Sequence, residues 1–179
     1  MTNATPFRTF TSQRLVLRSL ELHDSSEMAA IRSDDSVNEY LDRPACVSAA
    51  EAEAFIRKIQ ASVANNESYY WAISLKQAHR LIGTVCLWNI DRENSTVDLG
   101  YELFPSHQGQ GLMSEAVEKV IDFAFGELKF KKVVAITHQF NSKSVRLLEK
   151  FGFERDESFG NEVGESTDEI CLVLVNYLQ

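Results

Sequence analysis

The chain has 179 residues, enough for one domain over 1–179 to bury a core without disulfide or metal staples. Its 44% hydrophobic and 25% charged residues are the balance of a folded globular protein, and its net charge of −8 repels the phosphates of a nucleic-acid partner. No apolar run reaches the roughly 18 residues that cross a bilayer, and the polar start lacks the apolar stretch of a signal peptide, so no membrane partner and a cytoplasmic location are expected.

In chain order, Arg14 to Ser19 (RLVLRS) alternates polar and branched apolar residues and predicts a first strand. Asp24-Ser-Ser-Glu27 and Ser48-Ala-Ala-Glu51 have capping-box spacing, each placing an N-cap before a helix. The second helix carries Ala52, Phe55, Ile56, Ile59 and Val63 on one face and ends near Asn65-Asn66. Tyr69 to Leu75, Leu81 to Ile90 and Thr96 to Phe104 then predict an antiparallel meander. The three cysteines, Cys46, Cys86 and Cys171, are far apart and form no C-x-x-C, so free buried thiols are expected and no metal site.

The organising stretch is LGYELFPSHQGQGLMSEAVEKVIDFAF, Leu99 to Phe125. Pro105 ends the strand, the glycines of Gln108-Gly-Gln-Gly111 let backbone N–H groups converge, and Met113, Val117, Val120, Ile121 and Ala124 fall at helical spacing. A helix start of this kind attracts an anion such as a phosphate. Neither a triphosphate P-loop nor a dinucleotide fingerprint fits, because Gly-Lys-Ser/Thr and the last fingerprint glycine are both absent. Lys132 to Thr137 must be a strand parallel to Thr96–Phe104, since a helix joins them. Asn141 as N-cap and Gly152 past the end bracket one more helix, and Phe153–Glu157 and Glu169–Val175 close the sheet. Strands and helices do not alternate strictly. The expected fold is therefore α/β with a mixed, mostly antiparallel sheet flanked by helices.

The segments GYELFPSHQGQGLMSEA and AITHQFNSKSVRLLEKFGF, with the opening SQRLVLRSLELHD, resemble the GNAT superfamily of N-acetyltransferases, and its RimJ/RimL-type branch in particular. The resemblance spans nearly the whole chain. It implies that Gln108, Gly109, Gln110, Gly111, Leu112 and Met113 form the family's Q/R-x-x-G-x-G/A turn, which holds the pyrophosphate of acetyl-CoA. Met113 departs from the pattern where a small residue is common. The resemblance further implies a splayed strand pair that admits the pantetheine arm, with backbone from Tyr101 to Phe104, Leu103 included, pairing along it. Asn141 is expected to contact pantetheine as well as cap its helix, and Lys143, Arg146 and Lys150 to meet the 3′-phosphate.

Acetyl transfer needs a neutral amine, a stabilised oxyanion and a proton for the leaving thiolate. Leu148 stands where many relatives place an acidic tyrosine, so the resemblance points instead to Ser144 as the proton donor. Glu102 leads as base, on the strand that feeds the glycine turn, with His138 and His107 competing. The resemblance further implies an acceptor pocket built by Ala49–Val63 and the closing loop Ser158–Asp168, with Tyr40, Trp71, Trp88, Glu162, Glu165 and Asp168 contributing walls and charge and the acidic stretch Asn161–Glu169 recruiting a cation. The expected activity is acetyl transfer from acetyl-CoA, by direct attack, to a primary amine. A protein N-terminal α-amine leads. A polyamine or aminoglycoside-like acceptor, and a non-catalytic acyl-CoA sensor, stay open, as do monomer and homodimer.

Overall fold

The computed structural model describes residues 7–46, 48–159 and 168–177. Strands β1 (Phe10–Thr11) and β2 (Leu15–Arg18) lead through one 3₁₀ turn to helices α1 (Ser25–Ser33), α2 (Asp35–Asn38) and α3 (Ala49–Ala64). The meander β3 (Tyr69–Leu75), β4 (Ala78–Asp91) and β5 (Thr96–Leu103) follows, and then α4 (Leu112–Gly126) and β6 (Lys132–His138). The chain closes with α5 (Ser142–Lys150), β7 (Glu154–Arg155) and β8 (Glu169–Val175). The strands form one sheet in the order β1-β2-β3-β4-β5-β6-β8-β7. Every pair in it is antiparallel except β5–β6, as the helix between those two strands requires.

The two faces of the sheet are covered differently. Val97, Leu99 and Leu103 of β5 share a buried cluster with Ala116, Val117, Val120 and Ala124 of α4. On the other face, Tyr70 and Ala72 of β3 pack with Met28 and Ile31 of α1 and Ala52 and Ile56 of α3. Alternation along β5 thus sends Tyr101 and Leu103 toward α4 and α5, and Glu102 toward the α1–α3 side.

The feature that positions the site is a parting of strands. β5 and β6 pair only over Thr96–Lys132, Val97–Val133 and Asp98–Val134, whereas β6 stays on β8 through all seven of its residues. Beyond Asp98 the edge of β5 therefore faces a gap. The Phe104 N–H donates to Ile82 across β4, so by alternation the N–H groups of Tyr101 and Leu103 point the other way, into that gap.

Several local expectations need correction. Asp24 precedes α1 but does not cap it. Its carboxylate accepts from the two terminal guanidinium nitrogens of Arg18, at 2.8 and 2.7 Å, and from the Glu21 N–H, because a buried bidentate ion pair outcompetes a cap. The strand expected over Arg14–Ser19 is β2, confined to Leu15–Arg18 and preceded by the two-residue β1, and the last hairpin's first strand is two residues rather than Phe153–Glu157. β5 stops at Leu103, with Phe104 already turning toward the α1–α3 cluster. Ser48 does cap α3, through Glu51 N–H at 3.2 Å, and all three cysteines are free.

Candidate active site

The glycine turn sits at the mouth of the gap. Gly109 and Gly111 have φ of 72° and 76°, the left-handed region that side chains with a Cβ avoid. Gly111 is the N-cap of α4 and its carbonyl accepts from the Glu115 N–H at 3.2 Å. The N–H groups of Leu112, Met113 and Ser114 in the first turn are consequently left without an intrahelical acceptor, at the positive end of the helix dipole. Gln108 braces the turn: its Nε2 donates to the Leu103 carbonyl and its Oε1 accepts from Lys143 Nζ, both at 2.9 Å. Gln110 closes the turn from outside, through the Ser106 carbonyl, and does not line the cleft. Glu115 ties α4 back to the start of β2 through Ser12 Oγ and the Arg14 backbone and guanidinium.

Facing the turn across a cleft of about 550 Å³ is α5. Asn141 caps it, accepting from the Ser144 N–H at 3.2 Å. Lys143, Arg146 and Lys150 all line the cleft, with Lys150 Nζ 3.3 Å from Ser114 Oγ. Ser144 is buried at the inner end of the helix, and its Oγ lies 2.8 Å from the hydroxyl of Tyr101. Burial pushes the Tyr101 phenol up to about 12.

Glu102 lines the same cleft from the other side of the sheet and is buried. Arg43 Nη2 donates to its Oε2 at 2.6 Å and Thr84 Oγ1 to its Oε1 at 3.3 Å, and the Tyr70 hydroxyl donates in turn to Thr84. Arg43 is itself held by Asn38 at the end of α2. Ser36, Val37, Glu39 and Tyr40 complete this end of the cleft.

These placements sort the expected site residues. Leu103, Gln108, Gly109, Gly111, Leu112, Met113, Asn141, Lys143, Ser144 and Glu102 meet around one cleft, and His107 lies on its rim. Phe104, Gln110 and His138 are not among the residues that line it. His138 instead packs between the rings of Tyr40 and Phe140, with its Nε2 3.7 Å from Asp168. Trp71 is core beneath α4, edge-on to Phe123, and Trp88 is half exposed away from the cleft. The described lining takes nothing from Ala49–Val63; α2 and the residues after it stand there instead. Glu162 and Glu165 lie outside the described residues. Two participants had no signal of their own: the Tyr101 side chain, which alternation from Glu102 would have aimed at α5, and Arg43, 59 residues away from its partner.

An anion-binding helix start, cations on the facing helix and an unpaired strand edge between them suit a donor with a polyphosphate end and an amide-bearing arm. Acetyl-CoA has both, and this combination defines an acetyl-CoA-dependent N-acetyltransferase. The chain belongs to the GNAT acetyltransferase family: the model of the acetyltransferase (GNAT) domain matches residues 14–154. It is 30% identical over 148 residues to N-acetyltransferase p20 of Bacillus licheniformis, itself uncharacterized, covering 83% of each chain. Its fold superposes on the ribosomal-protein-S5-alanine acetyltransferase of Vibrio fischeri with a TM-score of 0.81 at 22% identity, over 95% of this chain and 97% of the other. It superposes likewise on the spermidine N-acetyltransferase of Vibrio cholerae in complex with CoA and spermine, at 0.76 and 24%, over 92% and 96%. The fold is thus shared by enzymes named for protein and for polyamine acceptors.

Proposed function

We propose that the acceptor is a single α-amine at a protein N-terminus, in the cytoplasm. The observation that carries this reading is Arg43 Nη2 at 2.6 Å from Glu102 Oε2. The pair neutralises the one buried carboxylate among the described lining, while Lys143, Arg146 and Lys150 leave the cleft net cationic. At the Glu102 end this leaves the exposed Glu39 as the other carboxylate of the lining, enough for one ammonium rather than a polycation. An α-amine has a pKa of roughly 7.7–8.0, against roughly 10.4 for a lysine-type amine, so an appreciable fraction is neutral near pH 7 and needs only modest help from a base.

In this reading the N–H groups at Leu112, Met113 and Ser114 hold the pyrophosphate, with Lys143, Arg146 and Lys150 near the phosphates. Tyr101 and Leu103 offer backbone N–H groups to the arm and the thioester carbonyl, and Asn141 holds the arm near Ser144. When bound, acetyl-CoA supplies an acyl group on a good leaving group. Glu102 accepts the proton of the attacking amine through water, and Ser144 directs its hydroxyl at the departing sulfur.

The test is thiol release from acetyl-CoA with three acceptors: peptides with a free N-terminus, the same peptides blocked at the N-terminus but carrying a lysine, and spermidine. The free N-termini are expected to give kcat/KM at least 10-fold above the other two. A preference for spermidine would overturn the α-amine reading, and donor binding without release with any amine would favour the sensor.

A further inference from the structure

Of the groups facing the cleft, the Tyr101 side chain has no role in the reaction as described so far. We infer that Tyr101 is a positioning residue for the acid half of acetyl transfer, its phenol donating to Ser144 Oγ so that the serine proton points at the leaving sulfur. The inference rests on Ser144 being the group that meets that sulfur. It is indifferent to which amine attacks.

The chemistry asked of Ser144 sets the direction we assign to the bond. Ser144 and Tyr101 are 2.8 Å apart and either hydroxyl can donate. Both side chains line the cleft, and if Ser144 donated, its proton would be spent on the phenol and lost to the leaving sulfur. If Tyr101 donates, each hydroxyl proton has a place: the phenol's on Ser144 and the serine's in the open cleft. A phenol is also the better donor of the two. Its burial keeps it protonated over the whole range in which an amine can attack.

The reaction balances simply. The N–C bond forms and the C–S bond breaks, the electron pair of that bond leaving on sulfur. A thiol of pKa roughly 8.5 leaves as a thiolate that hydrogen bonding can stabilise, so Ser144 need not give up its proton completely. The proton that finally balances the sulfur charge is the one lost by the acceptor nitrogen. Accepting from Tyr101 makes the Ser144 hydroxyl a stronger donor at the moment charge appears on sulfur, by the cooperativity of hydrogen-bond chains. The cap from Asn141 to the Ser144 N–H fixes the first turn of α5 for this purpose, so both the backbone and the hydroxyl of Ser144 are held.

The experiment compares Tyr101→Phe, Ser144→Ala and the double variant, using whichever amine of the acceptor panel turns over fastest, with acetyl-CoA binding measured separately by calorimetry. Tyr101→Phe is expected to lower kcat about 10-fold while the acetyl-CoA Kd stays within 2-fold of the parent. The double variant is expected to be no slower than Ser144→Ala alone, because Tyr101 acts through the serine. A Tyr101→Phe protein with full kcat, or one whose loss lies in Kd, would overturn the inference and leave Tyr101 a wall of the cleft. So would losses that multiply in the double variant. If Ser144→Ala keeps full kcat, the serine reading fails first; if Ser144→Ala is slow and Tyr101→Phe is not, the inference fails alone.

Discussion

At the scale of single residues, the informative pair is Arg43 and Glu102. Their side chains are 19% and 7% exposed, so screening by water is limited and removal of one partner strands the other. The pair also puts a guanidinium where a substrate ammonium would otherwise find a carboxylate. Arg43→Ala is accordingly expected to shift selectivity: kcat/KM for spermidine relative to an N-terminal peptide should rise about 10-fold, at some cost in stability. Glu102→Gln should lower turnover with both acceptors and leave the acetyl-CoA Kd unchanged. Competition kinetics with the two acceptors in one vessel would measure the ratio directly, and an unchanged ratio in Arg43→Ala would remove the charge argument for an α-amine.

At the scale of elements, what the sequence made legible were features whose cause is local. Ser48 and Asn141 cap helices through N–H groups three residues on, and Gly152 takes its left-handed φ just past α5. The glycine turn belongs to the same class: its left-handed glycines and the helix that starts at Leu112 are both local features. Tyr101–Ser144 and Arg43–Glu102 bridge 43 and 59 residues, and no pattern within a window encodes which distant side chains a gap in a sheet will bring together. α2 was missed for a related reason: four residues are too few to show a period. A helix so short is not stable alone and depends on its cap, Asp34, which accepts from the Ser36 and Val37 N–H groups and the Ser36 hydroxyl. The Ser36 hydroxyl first, and the Val37 N–H next, hold the Asp34 carboxyl below its usual value. The contribution of such a depressed acid is present above the unfolded carboxylate pKa, roughly 3.9, and fades as the pH falls through the lower folded value. Because α2 supplies Ser36 and Val37 to the cleft, Asp34→Ala is expected to raise the acceptor KM about 3-fold with the donor Kd unchanged. Its melting temperature should lie about 2 °C below the parent at pH 7, and the gap should narrow as the pH falls below about 3.9. A gap that does not narrow at all with falling pH would mean that the aspartate acts through something other than its charge.

At the scale of the whole molecule, charge is distributed against its own average. The chain carries −8, yet the cleft proposed for the anionic donor is lined by Lys143, Arg146 and Lys150. The two act over different distances, so salt separates them. At 10 mM ionic strength the Debye length is about 30 Å, and the field of the whole protein reaches an approaching anion; at 100 mM it is about 10 Å, and most of that repulsion is screened. Contacts between phosphate and the α5 cations are shorter than either length and weaken substantially only at higher salt, where the Debye length falls to about 3 Å near 1 M. Acetyl-CoA affinity is therefore expected to improve from 10 to about 100 mM salt and to decline by 500 mM and above. Replacing Lys143 and Lys150 together with alanine should lower the affinity and flatten the declining limb while leaving the rising limb in place. Calorimetric Kd values across that series would test both halves. A decline that begins at the lowest salt would show that the local cations outweigh the net charge at every distance.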